Sequence, residues 1–464
     1  MEPQAWAEEQ FGRVDLGDAR RTARLVRVAA SAAQAPAGTV SSVFTDDAER
    51  QGAYDFLESE HVDAGALEAG VGEIVARRCA DEARIFVAVD GSSLTFVDRT
   101  GERGLGAIGT YAAGAVGLKV ISALAMTTSG VPLGLLRQVV WRRPASRPSN
   151  RRPAKKRPVD KKETRHWLDA VKSTTDRINS ASNSTRITFL VDREGDSAAM
   201  LCGLVRTAHN FIVRGNWDRT VTADDGRSWK IRRLLAYQPT LGNYKLELPA
   251  RAGRTARVAD VMLTATCVVV PLEDPTSRRK TDVAMWAVQA RETSDVPQGE
   301  EVVDWLLLSS ARIDTFEQAR AAVVAYTLRW RIEEFHKTWK SGHCNVEDSQ
   351  LRSEQALRKW ALVLATIAVR VERIKLLART DGDVPASNEF SEIELHALLL
   401  LKRRSKKKNE TIPDAPTLGQ AVLWLAELGG YTGKSSGGPP GSITISRGLR
   451  RLREIGRASC RERV

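Results

Sequence analysis

The chain has 464 residues, 42% of them hydrophobic, and its 70 Lys and Arg against 57 Asp and Glu give a net charge of +13. That length predicts two or three domains rather than one core, and no run of about eighteen apolar residues is present, so no membrane span is expected. The acidic opening MEPQAWAEEQFGRVD lacks a charged-then-apolar leader, and five scattered cysteines without a CxxC pair argue for reduced thiols in a cytosol and against a zinc site.

Residues 1 to about 65 read as helical. Asp18 is placed to cap a helix through ARRTARLVRVAASAAQ, and at 100° per residue Arg20, Arg24 and Arg27 share a stripe about 60° wide, while Leu25 and Val26 point elsewhere. The stripe suits DNA phosphates or base edges, and equally a solvated helix face. A second helix is expected after Thr45. From about residue 83 the period changes. RIFVAVDGSSLTFVDR has the β-branched and aromatic enrichment of a buried strand with Asp90 at its end, and KVISALAMTT and VPLGLLRQVVWR read as the next two strands.

Between Arg142 and Arg165 stand eleven Lys or Arg, two acids and four prolines. Proline breaks helix and sheet, so this segment reads as an arm able to lie along phosphates, a solvated loop being the plainer alternative. TRHWLDAVKSTTDRI then reads as a helix, TRITFLVDREGD as a strand ending at Asp192, SAAMLCGLVRTA as a helix and NFIVRGN as a strand. Strands interspersed with helices predict an α/β layer. Residues 216–310 alternate in short segments and suggest an antiparallel insertion. A long helix is expected from about Thr315, and beyond 377 come Leu-rich helix, the basic cluster KRRSKKK (402–408) and the Gly/Ser/Pro-rich GKSSGGPPGS.

Asp90 and Asp192 share one context, an apolar strand running into a carboxylate. A divalent cation would neutralise such a group, and two cations about 3.5–4 Å apart can activate an attacking oxygen and stabilise a leaving one. A turn or helix cap is the alternative for either aspartate alone. Laid on one helix, Tyr326, Arg329, Glu333, Lys337 and Lys340 fall in a stripe about 80° wide with Trp330 beside it. Ala325, Leu328, Ile332, Phe335 and Trp339 face the other way. One lone carboxylate among cations and a phenol suits a phosphate-contacting surface with a metal ligand at its centre. A salt-bridged surface helix, with i,i+4 pairs of a few tenths of a kcal/mol, is the bland reading.

The string from Tyr326 to Lys340, with Tyr, Arg, Glu and Lys at relative positions 0, 3, 7 and 14, resembles the signature of the insertion-sequence-four family of DDE transposases, especially the Tn-five type. LGDARRTARLV (16–26), QGAYDFL (51–57), VDREGD (191–196), FIVRG (211–215), WLLLSS (305–310) and RWRIEEFHKTWK (329–340) extend the likeness in order along nearly the whole chain. The resemblance implies that Asp90, Asp192 and Glu333 are catalytic metal ligands for two Mg²⁺, with Mn²⁺ able to substitute. It implies that Tyr326, Arg329 and Lys340 contact phosphate, that Trp305 and Trp330 accommodate a flipped base, that Arg214 is a basic group near the active site, and that Arg20, Arg21 and Arg24 lie on an end-recognition helix.

The implied fold is an α/β, RNase H-like catalytic core (66–376) with an antiparallel β insertion (about 216–310), flanked by an N-terminal helical end-binding domain (1–65) and a C-terminal helical dimerisation region (377–464). The implied activity is cut-and-paste transposition: nicking at the transposon end, hairpin formation, hairpin opening, and joining of 3′-ends to target DNA. Implied partners are double-stranded terminal inverted repeats, target DNA and a second subunit, in a bacterial cytoplasm at the nucleoid. Two rivals stand beside it: a catalytically silent end-binding protein, such as a transposition inhibitor or domesticated relative, and another RNase H-like nuclease or resolvase. The last eleven residues, EIGRASCRERV, do not resemble the family and match the in-frame translation of a common sequencing adapter, so they are expected to be foreign to the protein.

Overall fold

A computed structural model describes residues 2–144, 158–248, 255–274, 277–405, 410–433 and 438–461. Most of the basic arm expected between Arg142 and Arg165, the end of the KRRSKKK cluster and part of the Gly/Ser/Pro-rich stretch lie outside the described residues. Five helices open the chain: α1 (Pro3–Phe11), α2 (Ala19–Gln34), α3 (Val40–Val43), α4 (Asp47–Glu58) and α5 (Ala64–Cys79). Strands β1 (Arg84–Thr95), β2 (Gly106–Ala107), β3 (Val116–Met126) and β4 (Pro132–Trp141) come next. They lead into α6 (Thr164–Ala181), β5 (Arg186–Val191), α7 (Ala198–Arg206) and β6 (Asn210–Arg214). A strand-rich stretch holds β7 (Thr220–Thr222), β8 (Ser228–Lys230), the short α8 (Ile231–Ala236), β9 (Gly242–Leu248), β10 (Arg257–Glu273), β11 (Lys280–Glu292) and β12 (Asp304–Ser309). The chain finishes with α9 (Phe316–Thr327), α10 (Trp330–Lys337), a π-helical turn Thr338–Gly342, α11 (Glu354–Thr380), α12 (Glu392–Arg404), α13 (Leu418–Leu428) and α14 (Ser442–Arg461).

Two compact units form. The first gathers Met1–Asp81, Gly91–Ser149 and Arg331–Val464, the second Glu82–Asp90 and Asn150–Trp330. In the first unit, Asp18, Asp46 and Asp63 cap α2, α4 and α5 by accepting amide hydrogen bonds from the first helical turn. Leu25, Val26, Val28 and Ala29 are buried while Arg20 and Arg27 stay exposed, as the amphipathic pattern of α2 requires. Buried Lys359 of α11 donates to the carbonyls of Leu57 and Ser59 at 2.8 and 2.7 Å, satisfying the open end of α4. Trp360 Nε1 donates to the Gly38 carbonyl at 2.7 Å, so α11 is the element on which the N-terminal helices are hung. Helices α13 and α14 cross at glycines: a Cβ on Gly448 would stand 1.8 Å from the Leu425 carbonyl oxygen.

The second unit is a mixed α/β assembly around a large mixed sheet. Its centre is parallel, β1 beside β5 beside β6, and continues antiparallel through β12, β11 and β10. Ile187, Phe189, Leu190 and Val191 of β5 are all buried, the near-continuous apolar run of a strand covered on both faces. Among the described residues no helix is long and apolar enough to cross a membrane.

One expectation fails here. The helix from Thr315 is not continuous through Lys340: it is broken after Thr327 and turns π-helical at Thr338. The Leu328 and Arg329 amides donate to the carbonyls of Ala325 and Tyr326, three residues back rather than four. That tighter spacing interrupts the regular α-helical hydrogen bonding between α9 and α10.

Replacing Gly448 with Ala drives a methyl group into the Leu425 carbonyl and is expected to destabilise the protein by about 1–3 kcal/mol. The same change at Gly441, where an added Cβ meets nothing within 4 Å, leaves thermal unfolding unchanged. Calorimetry of both variants checks this.

Candidate functional site

Apolar runs deliver three polar residues to one row of the second unit. The parallel register of β1 and β5 ends at Val89 and Val191, so Asp90 and Asp192 are the next residues on neighbouring strands. Val191 is likewise level with Val213 of β6, so Arg214 completes the row. Strand neighbours are about 4.8 Å apart, and residues level in a parallel pair point to the same face. Asp90 is not at the end of its strand, contrary to expectation: β1 runs on to Thr95, and only its pairing with β5 stops. Asp192 does come directly after β5, and its Oδ1 accepts the Glu194 amide at 2.8 Å, starting a short 3-10 turn.

Aromatic and cationic side chains crowd round this row. The Trp305 ring meets the Tyr326 ring edge-on at 5.7 Å, with the Arg214 guanidinium 5.7 Å from the Trp305 centroid. Arg329 lies 5.8 Å from the Tyr326 ring and 5.9 Å from the Trp330 ring, and its Nη1 donates to Asp90 Oδ2 at 3.5 Å. Tyr326 is 1% exposed, Arg329 5% and Trp305 9%. Burial, helped by Asp192 and opposed by Arg329 and Arg214, holds the Tyr326 phenol above its ordinary range, so it stays a neutral donor. Burial also pulls Arg214 down from its usual value. The second unit thus brings together Asp90, Asp192, Arg214, Trp305, Tyr326, Arg329 and Trp330. Trp305 is closed over by Arg214; Trp330 is half-buried.

The other candidates belong to the first unit. Glu333 and Lys337 are exposed on α10, while Ile332, Phe335 and Trp339 are buried, the division the sequence predicts for that part of the helix. Lys340, in the π turn, pairs with Glu347 at 3.4 Å, and Glu347 also accepts the Thr95 amide at 2.8 Å. On α2, Arg20 folds back onto Asp18 at 3.0 Å and Arg21 donates to the Leu16 carbonyl at 3.1 Å. Arg24 lies across Gly52 of α4, where a Cβ would come within 2.9 Å of its Nη1.

One residue that sequence reasoning passed over is Asp196, the last acid of VDREGD. Fully buried, it accepts the amides of Asn216 and Trp217 at 2.7 and 3.0 Å and the Nε of Arg219 at 2.9 Å. It thereby shapes the turn that leaves Arg214. Its place in the VDREGD string was a signal, but nothing local announces a partner twenty residues away.

Among the described residues no three His, Cys, Asp or Glu side chains converge closely enough to hold a metal ion. Asp90 and Asp192 nonetheless offer hard oxygen donors in one row, a donor set that suits Mg²⁺. Residues 131–370, more than half of the chain, match the transposase DDE domain, and residues 3–62 match the transposase DNA-binding domain. The chain belongs to the DDE transposases. Asp192 and Glu333 fall inside the DDE match, and Asp90 lies ahead of it. The DNA-binding match contains α2 with Arg20, Arg21 and Arg24, so DNA is the partner of this transposase. DDE domains generally work with divalent metals, which is consistent with the paired carboxylates.

Asp196→Ala leaves the Arg219 guanidinium and two amides without their buried acceptor, and is expected to cost about 3–5 kcal/mol. Asp196→Asn, which keeps an acceptor oxygen, costs less. Denaturant unfolding of the two variants side by side measures the difference.

Proposed function

We propose that this transposase is of the insertion-sequence-four, Tn-five type and moves its element by cutting and pasting. Asp90, Asp192 and Glu333 are the proposed ligands of two Mg²⁺ ions, which Mn²⁺ can replace. The observation that carries the reading is the row Asp90–Asp192–Arg214 at one level of three parallel strands, bordered by Trp305, Tyr326, Arg329 and Trp330. The division into an end-binding domain (1–65), a catalytic domain (66–376) with its β insertion and a C-terminal dimerisation region (377–464) belongs to the same proposal.

When bound, the metals would activate the attacking oxygen and stabilise the leaving one. The protein's own groups hold the DNA to that point. Arg329 releases Asp90 and turns its charge to a phosphate, as a buried fork-shaped cation can. Tyr326, kept neutral, donates to a phosphate oxygen. Trp330 offers a half-open ring on which an unstacked base can rest. Lys337 and Lys340 add charge along α10 and its π turn, and Arg20, Arg21 and Arg24 read the terminal repeat. Nicking, hairpin formation and opening, and joining of 3′-ends to target DNA then use one set of ligands in a synaptic homodimer.

The catalytically silent reading draws on Arg329 occupying Asp90. Nicking of a terminal-repeat duplex by the wild-type chain in Mg²⁺ separates the readings, and its absence favours the silent one. Glu333→Ala, Asp90→Asn and Asp192→Asn are each expected to bind a terminal-repeat duplex with unchanged affinity and to lose nicking in Mg²⁺; nicking by the Glu333 variant sinks the assignment. Arg20→Ala with Arg24→Ala weakens that binding and flattens its dependence on log salt by about one unit for each phosphate no longer neutralised. A salt titration that leaves the slope unchanged removes α2 from the interface.

A further inference from the structure

Away from the site, the first unit buries a charged cluster that catalysis as proposed leaves unused. Glu372 and Lys375 of α11 have 1% and 3% of their side chains exposed and pair with each other. Lys375 also reaches Glu334 of α10 at 3.3 Å and donates to Ser442 Oγ at 3.1 Å. Glu372 accepts from the hydroxyl of Thr338, in the π turn, and from that of Ser442 at 2.6 Å. Three segments therefore meet on two buried charges: α10 with its π turn, α11, and the first residue of α14. A Cβ on Gly342 would stand 3.6 Å from Ile443 Cγ1, so α14 also packs on the π turn beside the cluster.

Well-packed apolar residues would serve stability as well as a buried ion pair does. What ions and hydroxyls add is direction. Glu334 and Thr338 are four residues apart and hence on one face of their helical segment, so two directed contacts fix both its rotation and its height along α11. The His343 and Cys344 amides both go to the Thr338 carbonyl, at 3.0 and 3.1 Å, so the side chain of Thr338 anchors the residue on which the π turn closes. Glu333 immediately precedes Glu334, and whatever fixes the rotation of one aims the other.

We propose that Glu372 and Lys375 are positioning residues that aim Glu333 by holding α10, and that Ser442 makes the C-terminal helix part of that hold. The inference rests on the proposed role of Glu333. It goes further in coupling α14 to the catalytic carboxylate: whatever lifts α14 from α11 removes one of the hydroxyls that complete the buried cluster.

The test uses full-length Ser442→Ala, Lys375→Met, Glu372→Gln and the double variant of the last two, with Glu333→Ala as reference. Unfolding temperature, affinity for terminal-repeat duplex and the Mn²⁺ concentration for half-maximal nicking are measured for each. Lys375→Met leaves Glu372 buried with hydroxyl donors alone and Glu372→Gln leaves Lys375 with Glu334 as its remaining carboxylate, so each unfolding temperature drops; the double recovers most of that loss. It still needs about tenfold more Mn²⁺, because neutrality restores packing but not aim. Ser442→Ala melts near wild type and needs about two- to threefold more Mn²⁺, and duplex affinity is unchanged throughout. A wild-type Mn²⁺ requirement in Ser442→Ala, or in a double variant of recovered stability, overturns the proposal while inactive Glu333→Ala leaves the transposase reading standing. Nicking by Glu333→Ala removes both.

Discussion

Two carboxylates on neighbouring parallel strands cannot be moved apart without unpairing the strands. Like charges brought onto neighbouring strands repel one another. The β1–β5 register, held by buried apolar side chains, makes Asp90 and Asp192 the next residues on neighbouring strands. Much of the local structure answers that repulsion. Arg329 sits against Asp90, the Glu194 amide binds Asp192, and Arg214 closes the row. Paired carboxylates of this kind fit a DDE domain, a class that generally uses divalent metals.

The cations around the row are held by partners within the protein. Buried guanidiniums facing aromatic rings are partly desolvated. Without DNA that charge is satisfied inside the protein, Arg329 by Asp90 and Arg214 over Trp305. On the proposed function, phosphate would take the place of the internal partner, one charge-assisted contact replacing another. The proposal extends to α2, where Arg20, Arg21 and Arg24 rest on Asp18, the Leu16 carbonyl and the α4 surface.

Those parts of the molecule that depend on local pattern were legible in the sequence. Apolar runs ending in Asp90 and Asp192 marked the central strands, Asp18 marked the start of α2, and Ile332, Phe335 and Trp339 marked the buried side of α10. The break at Leu328 was not legible, because no Gly or Pro marks it and its cause is a change in backbone hydrogen-bond spacing. Asp196 and the Glu372–Lys375 pair were hidden for another reason: their partners are distant in sequence, and a charged residue in a string does not announce its burial.

Charge that a cation should relieve is the central claim, so counting cations tests it most directly. Calorimetric titration of Mn²⁺ into the transposase bound to a pre-nicked terminal-repeat duplex should find two ions per active site, and one or none after Asp192→Asn or Glu333→Gln. Equal stoichiometry and affinity in wild type and both variants would contradict the account.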